Sequence, residues 1–556
     1  MWAFRLRLDD LFDTQSSILT RRNYTFQYNR MKETLIKMKT SLLTLIMRIP
    51  VLLYVLFMSV ILLLNICLAN VDYACKKEFL FPNFFLVLIL LTVFGCSAKI
   101  YSRRHIKIKL DIRVLSLILL AVQIYVSYNI YFTTNSWDVS TVINNARYIE
   151  SNTPEYLDHY YFSIYPNNQF IVLVYALIFR LNSLFGVFDT DNGLMFIIAI
   201  QCLLSTLTGY LLFEIIKNYT NNETTAYTGW LFFVGLIGCS GWNVVTYSDA
   251  SSLIFPVLIL RIYQHLQNGR YQYFKWGSLC FLSYWGYKLK PSVLIILIAI
   301  IISEIFYTRL EIAKQNVKKL IIFVFILIAN VMICSCIFTK LVTLSGLQID
   351  REANFGPLHM VMMGLNPENH GCWNGPDMEF SSSFSTRDER TAAQIKMIQQ
   401  RLMDYRWVGG LKHCIKKSLM NFNDGSFAWG FEGGFYDVIY ENKNSLASPV
   451  LKNVFYNDGK YYPILLTIEQ ALWLFTLVMS LFAFHLKSGK QTAVIPLSLV
   501  GIILFVMIFE ARARYLYVYA PYFIIAGAIG IQNIYKRYIR RNPVYLESVE
   551  FGGDNI

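Results

Sequence analysis

The strongest constraint on this chain is the recurrence of long, almost uncharged apolar runs. A helix of about 20 such residues matches the thickness of a bilayer's hydrocarbon core. The runs occupy 43–68, 80–98, 114–132, 194–213, 227–245, 252–263, 276–287, 293–307, 320–341, 463–484, 493–509 and 515–534. Hydrocarbon offers no partner to a backbone amide, so each run is expected to satisfy its own hydrogen bonds as a helix. The expected fold is therefore all-α and polytopic, with about 12 transmembrane helices. Composition points the same way: 55% hydrophobic and 15% charged residues, with a mean hydropathy of +0.42, exceed what one soluble core can bury.

The formal net charge of +14 reads as a topology signal. Lys and Arg gather in short cytoplasmic segments, and here they cluster in an N-terminal arm (1–42), in 103–109, 314–319 and 487–490, and in the tail 536–556. Both termini are thus expected in the cytoplasm of a cell-membrane protein. The parity holds if the apolar stretch 170–185 lies along the outer face as a juxtamembrane or re-entrant helix. Asp138, Asp249, Lys290 and Glu510 then all fall at the outer surface. Nucleic-acid binding would need a basic surface with aromatic readers, and charge used for orientation argues against it. About forty mostly polar residues precede the first run, which suits a signal anchor better than a cleaved signal peptide.

Ten Cys are scattered without a CxxC pair, so neither a zinc site nor a disulfide framework is expected. Cys75, Cys372 and Cys414 would lie outside, where one bridge is conceivable and unpaired thiols are the simpler reading. The glycosylation patterns at Asn218 and Asn222 fall on the cytoplasmic side of this topology and read as chance.

Two stretches break the membrane pattern. One is the outer loop 133–168 within the bundle 43–344, and the other is an extracytoplasmic segment of domain size, 345–462, ahead of the C-terminal transmembrane helices 463–535. The second holds a helical piece, 392–405, with Ile395, Ile398 and Leu402 on one face. Turn residues mark 371–377 and 423–425.

The chemistry-bearing residues sit beside these breaks. Asp138, between Trp137 and Val139, stands just beyond the third run, where it can act as a base or cap the helix that follows. Lys290 and Arg514 stand at span ends, with Arg512 nearby. Ionisable groups there either serve a function or snorkel to the interface. Arg147 could pair with Asp138 or with phosphate, or face solvent. Tyr165 and Asn168 belong to a Tyr-Pro-Asn-Asn sequence that can shape a site or simply turn. Asp249 reads first as a helix N-cap, His359 as a structural histidine with a possible ligand contact, and Glu510 as the partner of Arg512 or Arg514.

The ordered set Asp138, Asn145-Ala146-Arg147, the stretch 161–168, Tyr247-Ser248-Asp249, Lys290-Pro291 and 510–515 resembles the GT-C superfamily of integral membrane glycosyltransferases. Its nearest likeness is to the protein O-mannosyltransferase and aminoarabinose-transferase-like branch of Gram-positive bacteria. Pro357-Leu358-His359, Met363-Gly364-Leu365 and Asp377 extend the likeness into the outer segment. The resemblance implies transfer of a sugar, with inversion, from a polyprenyl-phosphate carrier to an acceptor on the outer face: a cell-envelope glycan, teichoic acid, glycolipid or protein. It implies Asp138 as the base and Lys290 and Arg514, with Arg512, as cations for the leaving phosphate. Asp138 has no acidic neighbour that would make a DxD pair, so a metal-independent reaction without cofactor is expected. A transporter or flippase of lipid-linked sugars is the reading from another class, and would place charges deep within spans and show repeat symmetry. A polysaccharide polymerase or ligase using a pyrophosphate-linked donor is the third.

Overall fold

The computed structural model describes residues 48–68, 79–104, 110–132, 138–186, 193–266, 271–310, 314–429, 439–456, 458–484 and 490–541. The basic arm, Cys75, Trp137 and the tail beyond 541 lie outside the described residues.

Helices dominate, as the apolar runs require. The first part of the bundle comprises α1 (Arg48–Cys67), α2 (Asn83–Arg104) and α3 (Ile112–Asn129), followed by the short strand β1 (Ile130–Phe132). Then come α4 (Asp138–Glu150), α5 (His159–Ile164), α6 (Gln169–Phe185), α7 (Gly193–Thr220), α8 (Glu223–Phe233), α9 (Ser248–Ser252), α10 (Ile254–Gln264), α11 (Gln272–Leu289), α12 (Leu294–Leu310) and α13 (Lys314–Leu344). The segment 345–462, called the outer segment after its expected side, holds α14 (Gly356–Gly364), α15 (Gly375–Ser382), α16 (Arg387–Phe422), β2 (Ile439–Glu441) and α17 (Ser448–Phe455). Finally α18 (Tyr462–Ser480), α19 (Lys490–Ile508) and α20 (Ala520–Arg541) return to the bundle.

Among the described residues, seven helices are long and apolar enough to cross a membrane, and three shorter apolar helices accompany them. Six of the expected runs coincide with the long set and three, 80–98, 293–307 and 493–509, with the shorter set. The remaining three fold differently. Run 227–245 becomes α8, a π turn (Val234–Gly238) and a 3-10 turn (Gly241–Val244), while 252–263 runs from the end of α9 through most of α10 and 276–287 falls within α11.

The seventh long helix is Pro166–Phe185, the stretch expected to lie along the outer face. Its length and composition suit a crossing, and its contacts set its far end beside the start of α7. Gln123 of α3 bonds Ser205 and Thr206 of α7, and Ser127 meets Cys202, so α7 runs antiparallel to α3 and starts at the end where α3 finishes. A Cβ on Gly193, the first residue of α7, would come within 3.1 Å of Phe179 near the far end of α6. The near end of α6 follows Asn168, beside the start of α4. Helices α4 and α6 lie parallel, with the Arg147 guanidinium 5.5 Å from the Phe179 ring centre and Ser183 donating to Glu150 at 2.9 Å.

Interhelical polar contacts hold the spans together where lipid gives no hydrophobic drive. Gln470 of α18 donates to Asn83 and Asn423, Asn83 donates to Asn423, and the Tyr54 and Ser480 hydroxyls meet at 2.5 Å. At the end away from the site, Arg261 pairs with Glu214 at 3.2 Å and Tyr263 donates to Glu304 at 2.9 Å. Asn222, one of the two glycosylation-pattern residues, caps α8 through Thr225 N.

The outer segment is joined to the bundle at defined points. β1 pairs antiparallel with β2 through Tyr131 and Tyr440, whose rings stack at 4.4 Å. Lys417 of α16, fully buried, donates to the carbonyls of Gly364 and Phe509, and Ala511 N donates to Gly371 O at 2.7 Å. Gly364 is required there, because a Cβ would lie 2.5 Å from Phe509 O. The expected helical piece 392–405 is the first half of α16. That helix bends at Arg406, where φ is 47°. Cys372 is buried, Cys414 is exposed, and they form no bridge with each other.

Candidate functional site

Local sequence explains how each site residue is presented. Proline disfavours the α conformation in the residue before it, so Pro291 ends α11 at Leu289 and leaves Lys290 extended, with φ −151° and ψ 117°. Pro166 starts the 3-10 turn that carries Asn168. Arg512 is extended, and the 3-10 turn Ala513–Tyr519 after it aims Arg514 inward.

These breaks converge at the end of the bundle where α3 finishes. Asp249 Oδ2 accepts from Arg514 Nη1 at 2.7 Å, and its Oδ1 accepts from Lys290 Nζ. All three groups are buried. Burial alone would push the Asp249 carboxyl up, but Lys290 and Arg514 outweigh it and hold the group below its ordinary value. Asp249 is therefore not the N-cap expected from sequence. Tyr247 occupies that position, and the Asp249 carboxylate is committed to the two cations. Aromatic faces enclose the cations: the Arg514 guanidinium lies 5.8 Å from the Trp242 ring, 5.5 Å from Tyr247 and 5.4 Å from Tyr515, and Lys290 Nζ lies 5.3 Å from Tyr515.

Tyr247 links this ion cluster to Asp138. Its ring packs on Arg514, and its hydroxyl, with one proton to give, lies 3.1 Å from Asp138 Oδ2 and 3.3 Å from Asn168 Oδ1. The Tyr161 hydroxyl lies beside Asp138 and accepts from Asn168 Nδ2 at 2.6 Å. Burial, reinforced by the Asp138 charge, pushes both phenols well above their ordinary value, so they stay protonated donors. Asp138 itself is the first residue of α4 and only partly buried, where the positive end of the helix dipole favours a carboxylate.

The other expected residues divide. Glu510 pairs with Arg512 Nε at 3.3 Å and accepts from Tyr515 at 2.7 Å, as expected for the Arg512 partner. Tyr165 packs its ring on Tyr161 and Phe355, and burial with the nearby Asp138 and Glu510 charges pushes its phenol up. Arg147, in the last turn of α4, lies over Phe179 and does not pair with Asp138. His359 is fully buried inside the outer segment, bonded through Nδ1 to Ser381 at 2.8 Å, and Phe355 stands between it and Tyr165. It is a structural histidine. Asp377 takes a bidentate pair from Arg401, at 2.6 and 3.0 Å.

Sequence reasoning did not assign roles to Tyr247, Tyr161, Trp242 or Tyr515. Tyr247 carried a signal, two residues before Asp249; Trp242 carried none beyond a Gly-Trp-Asn turn.

A cavity of about 110 Å³ lies one aromatic layer from the cations. Its walls are mostly apolar and include Val126, Ile130, Gly241, Trp429 and Tyr456. Trp429 meets Trp242 edge-on at 5.7 Å. Among the described residues, no group of three or more His, Cys, Asp or Glu could hold a metal ion.

A family model described as "Conserved hypothetical integral membrane protein" matches residues 35–535. The chain belongs to this family. No curated protein and no solved structure matches it. Membership makes the chain an integral membrane protein, in agreement with its apolar helices. In this integral membrane protein, the polar site opens beside an apolar cavity at one end of a helical bundle.

Proposed function

We propose that this protein is an inverting glycosyltransferase of the GT-C type that moves a sugar from a polyprenyl-phosphate carrier to a cell-envelope acceptor. The observation that carries the reading is the link from Asp138 to the Arg514–Asp249–Lys290 cluster through Tyr247, whose hydroxyl bonds Asp138 and whose ring packs on Arg514. Asp138 takes the acceptor hydroxyl's proton as the glycosidic bond forms. Arg514 and Lys290 stabilise the charge that grows on the departing carrier phosphate, preorganised by Asp249 before donor arrives. Tyr247 and Tyr161 fix the Asp138 carboxylate, and the adjoining apolar cavity accommodates the first part of the carrier's chain. The acceptor class is glycan, teichoic acid, glycolipid or protein. About twelve crossings with both termini cytoplasmic, and the site on the outer face, complete the proposal.

The test is incubation of purified protein with a panel of polyprenyl-phosphate sugars, following release of the carrier. One donor is expected to be consumed by wild type, and Asp138→Asn is expected to lose transfer while keeping donor binding, since it removes a proton acceptor at nearly constant volume. Transfer by Asp138→Asn within a few-fold of wild type would refute the base. A transporter of lipid-linked sugars is the second reading, favoured by Glu469, whose buried carboxylate lies within the α18 span. Movement of an intact lipid-linked sugar across proteoliposomes, without carrier release, would establish it instead.

A further inference from the structure

The outer segment carries a surface that the proposed reaction does not use. Beyond the bend at Arg406, α16 turns Lys417 and Asn421 inward, onto the Phe509 and Val506 carbonyls at the end of α19. The opposite side of this half-helix is bare. Trp407 is 94% exposed, Val408 68% and Leu411 65%, an unusual display for side chains of this size. Trp407 and Leu411, four residues apart beyond the bend, share one stripe of this half-helix, and Met403, 73% exposed, lies just before the bend. Exposed Arg406, Lys412 and Lys416 border it, against the lone carboxylate of Asp404 within 402–416.

The height of this stripe relative to the bilayer follows from its neighbours. Tyr405 donates to Leu365 O at 3.0 Å, and the adjacent Gly364 packs on Phe509 at the end of α19, one of the three shorter apolar helices. Leu504 and Ile508, on the last turns of that helix, are exposed apolar side chains of an integral membrane protein. The stripe thus stands near the end of an apolar helix, where hydrocarbon would give way to headgroups. Aromatic and aliphatic side chains bordered by Lys and Arg are the composition of a helix lying in that interface.

We propose that the second half of α16 is an interfacial anchor. It seats Trp407 and Leu411 among the acyl-chain ends of the leaflet on the site side, and it holds anionic phospholipid headgroups through Arg406, Lys412 and Lys416. The proposal is independent of the transferase reading, because it concerns lipid contact and not chemistry.

The test uses the full-length protein in nanodiscs of phosphatidylcholine alone or mixed with phosphatidylglycerol, with bromine carried near the headgroup end of the acyl chains. Subtracting the emission of Trp407→Phe from that of wild type isolates Trp407. The expected result is blue-shifted Trp407 emission that bromine quenches, more so with phosphatidylglycerol present. Lys412→Glu/Lys416→Glu is expected to lower that quenching by at least about twofold, because each interfacial cation contributes to attraction by anionic lipid. Lys412→Gln/Lys416→Gln serves the same purpose should the charge reversal fail to fold. Trp407 emission at its water value, quenching indifferent to phosphatidylglycerol and to both lysine variants, or a blue shift that vanishes at one protein per disc and so betrays a second copy, would each overturn the proposal.

Discussion

A carboxylate shared by two buried cations responds unevenly to the loss of its members. Removing Asp249 leaves Lys290 and Arg514 facing each other in a dry site, a change that typically costs about 3–5 kcal/mol, so Asp249→Asn is expected to fold poorly. Removing one cation leaves the carboxylate neutralised by the other. Lys290→Ala and Arg514→Ala are therefore the informative variants. Each is expected to weaken donor use by roughly 2–4 kcal/mol, the effect of losing one preorganised charge stabiliser, with acceptor dependence changed less. Unaltered donor dependence in both would remove the clamp from the mechanism. His359 supplies a separate, pH-linked expectation. Burial lowers its imidazole to about 4, against an ordinary 6.5, and the opposing Asp377 charge only moderates this. The unfolded chain then binds more protons than the folded one between those values, so stability is complete above pH 6.5 and falls as pH drops toward 4. The loss is on the order of 3 kcal/mol by linkage. Thermal melting in detergent across that range should show it, and His359→Gln should flatten the profile. At this scale Asp138, Lys290 and Arg514 were legible in the sequence, because charges beside apolar runs stand out. The roles of Asp249 and Tyr247 were not, since a residue's partner 265 or 109 positions away leaves no local trace.

Helices announce themselves through period and length, and the apolar runs of the chain accordingly reappear as helices with ends displaced by a few residues. Where the backbone departs from a regular helix, local pattern carries less. The run 227–245 reads as one span, yet it resolves into an α-helix, a π turn and a 3-10 turn that bring Trp242 under Arg514. α6 shows the opposite limit: the stretch 170–185 reads as lying along the outer face, yet its helix is long and apolar enough to cross, and it packs on α4 and on Gly193. The junction of α14 with α19 is the element most open to a direct test. Gly364→Val would drive a side chain into the Phe509 and Ile508 carbonyls and displace Lys417 from its two acceptors. We expect a drop in melting temperature and faster proteolysis of the outer segment, together with an altered preference among acceptors. Gly364→Val indistinguishable from wild type in both measurements would mean that the outer segment does not rest on this contact.

The molecule as a whole sets cations supplied by its own side chains at one end of an apolar bundle. If those cations do the work of stabilising a leaving phosphate, divalent metal is not required, and transfer should continue at an unchanged rate in EDTA. Activity lost on chelation and restored by Mn²⁺ or Mg²⁺ would argue for a pyrophosphate-linked donor. The order in which the site residues leave the ribosome adds a further consequence. Lys290 follows Asp249 by only 41 positions, so that pair can form while most of the chain is still unmade. Arg514 arrives 265 positions after Asp249, when all but the last helix has been inserted. A chain interrupted during synthesis thus carries Asp138 and Lys290 without the guanidinium that completes the cluster, and under the proposed mechanism such a truncated product would lack half of its phosphate clamp.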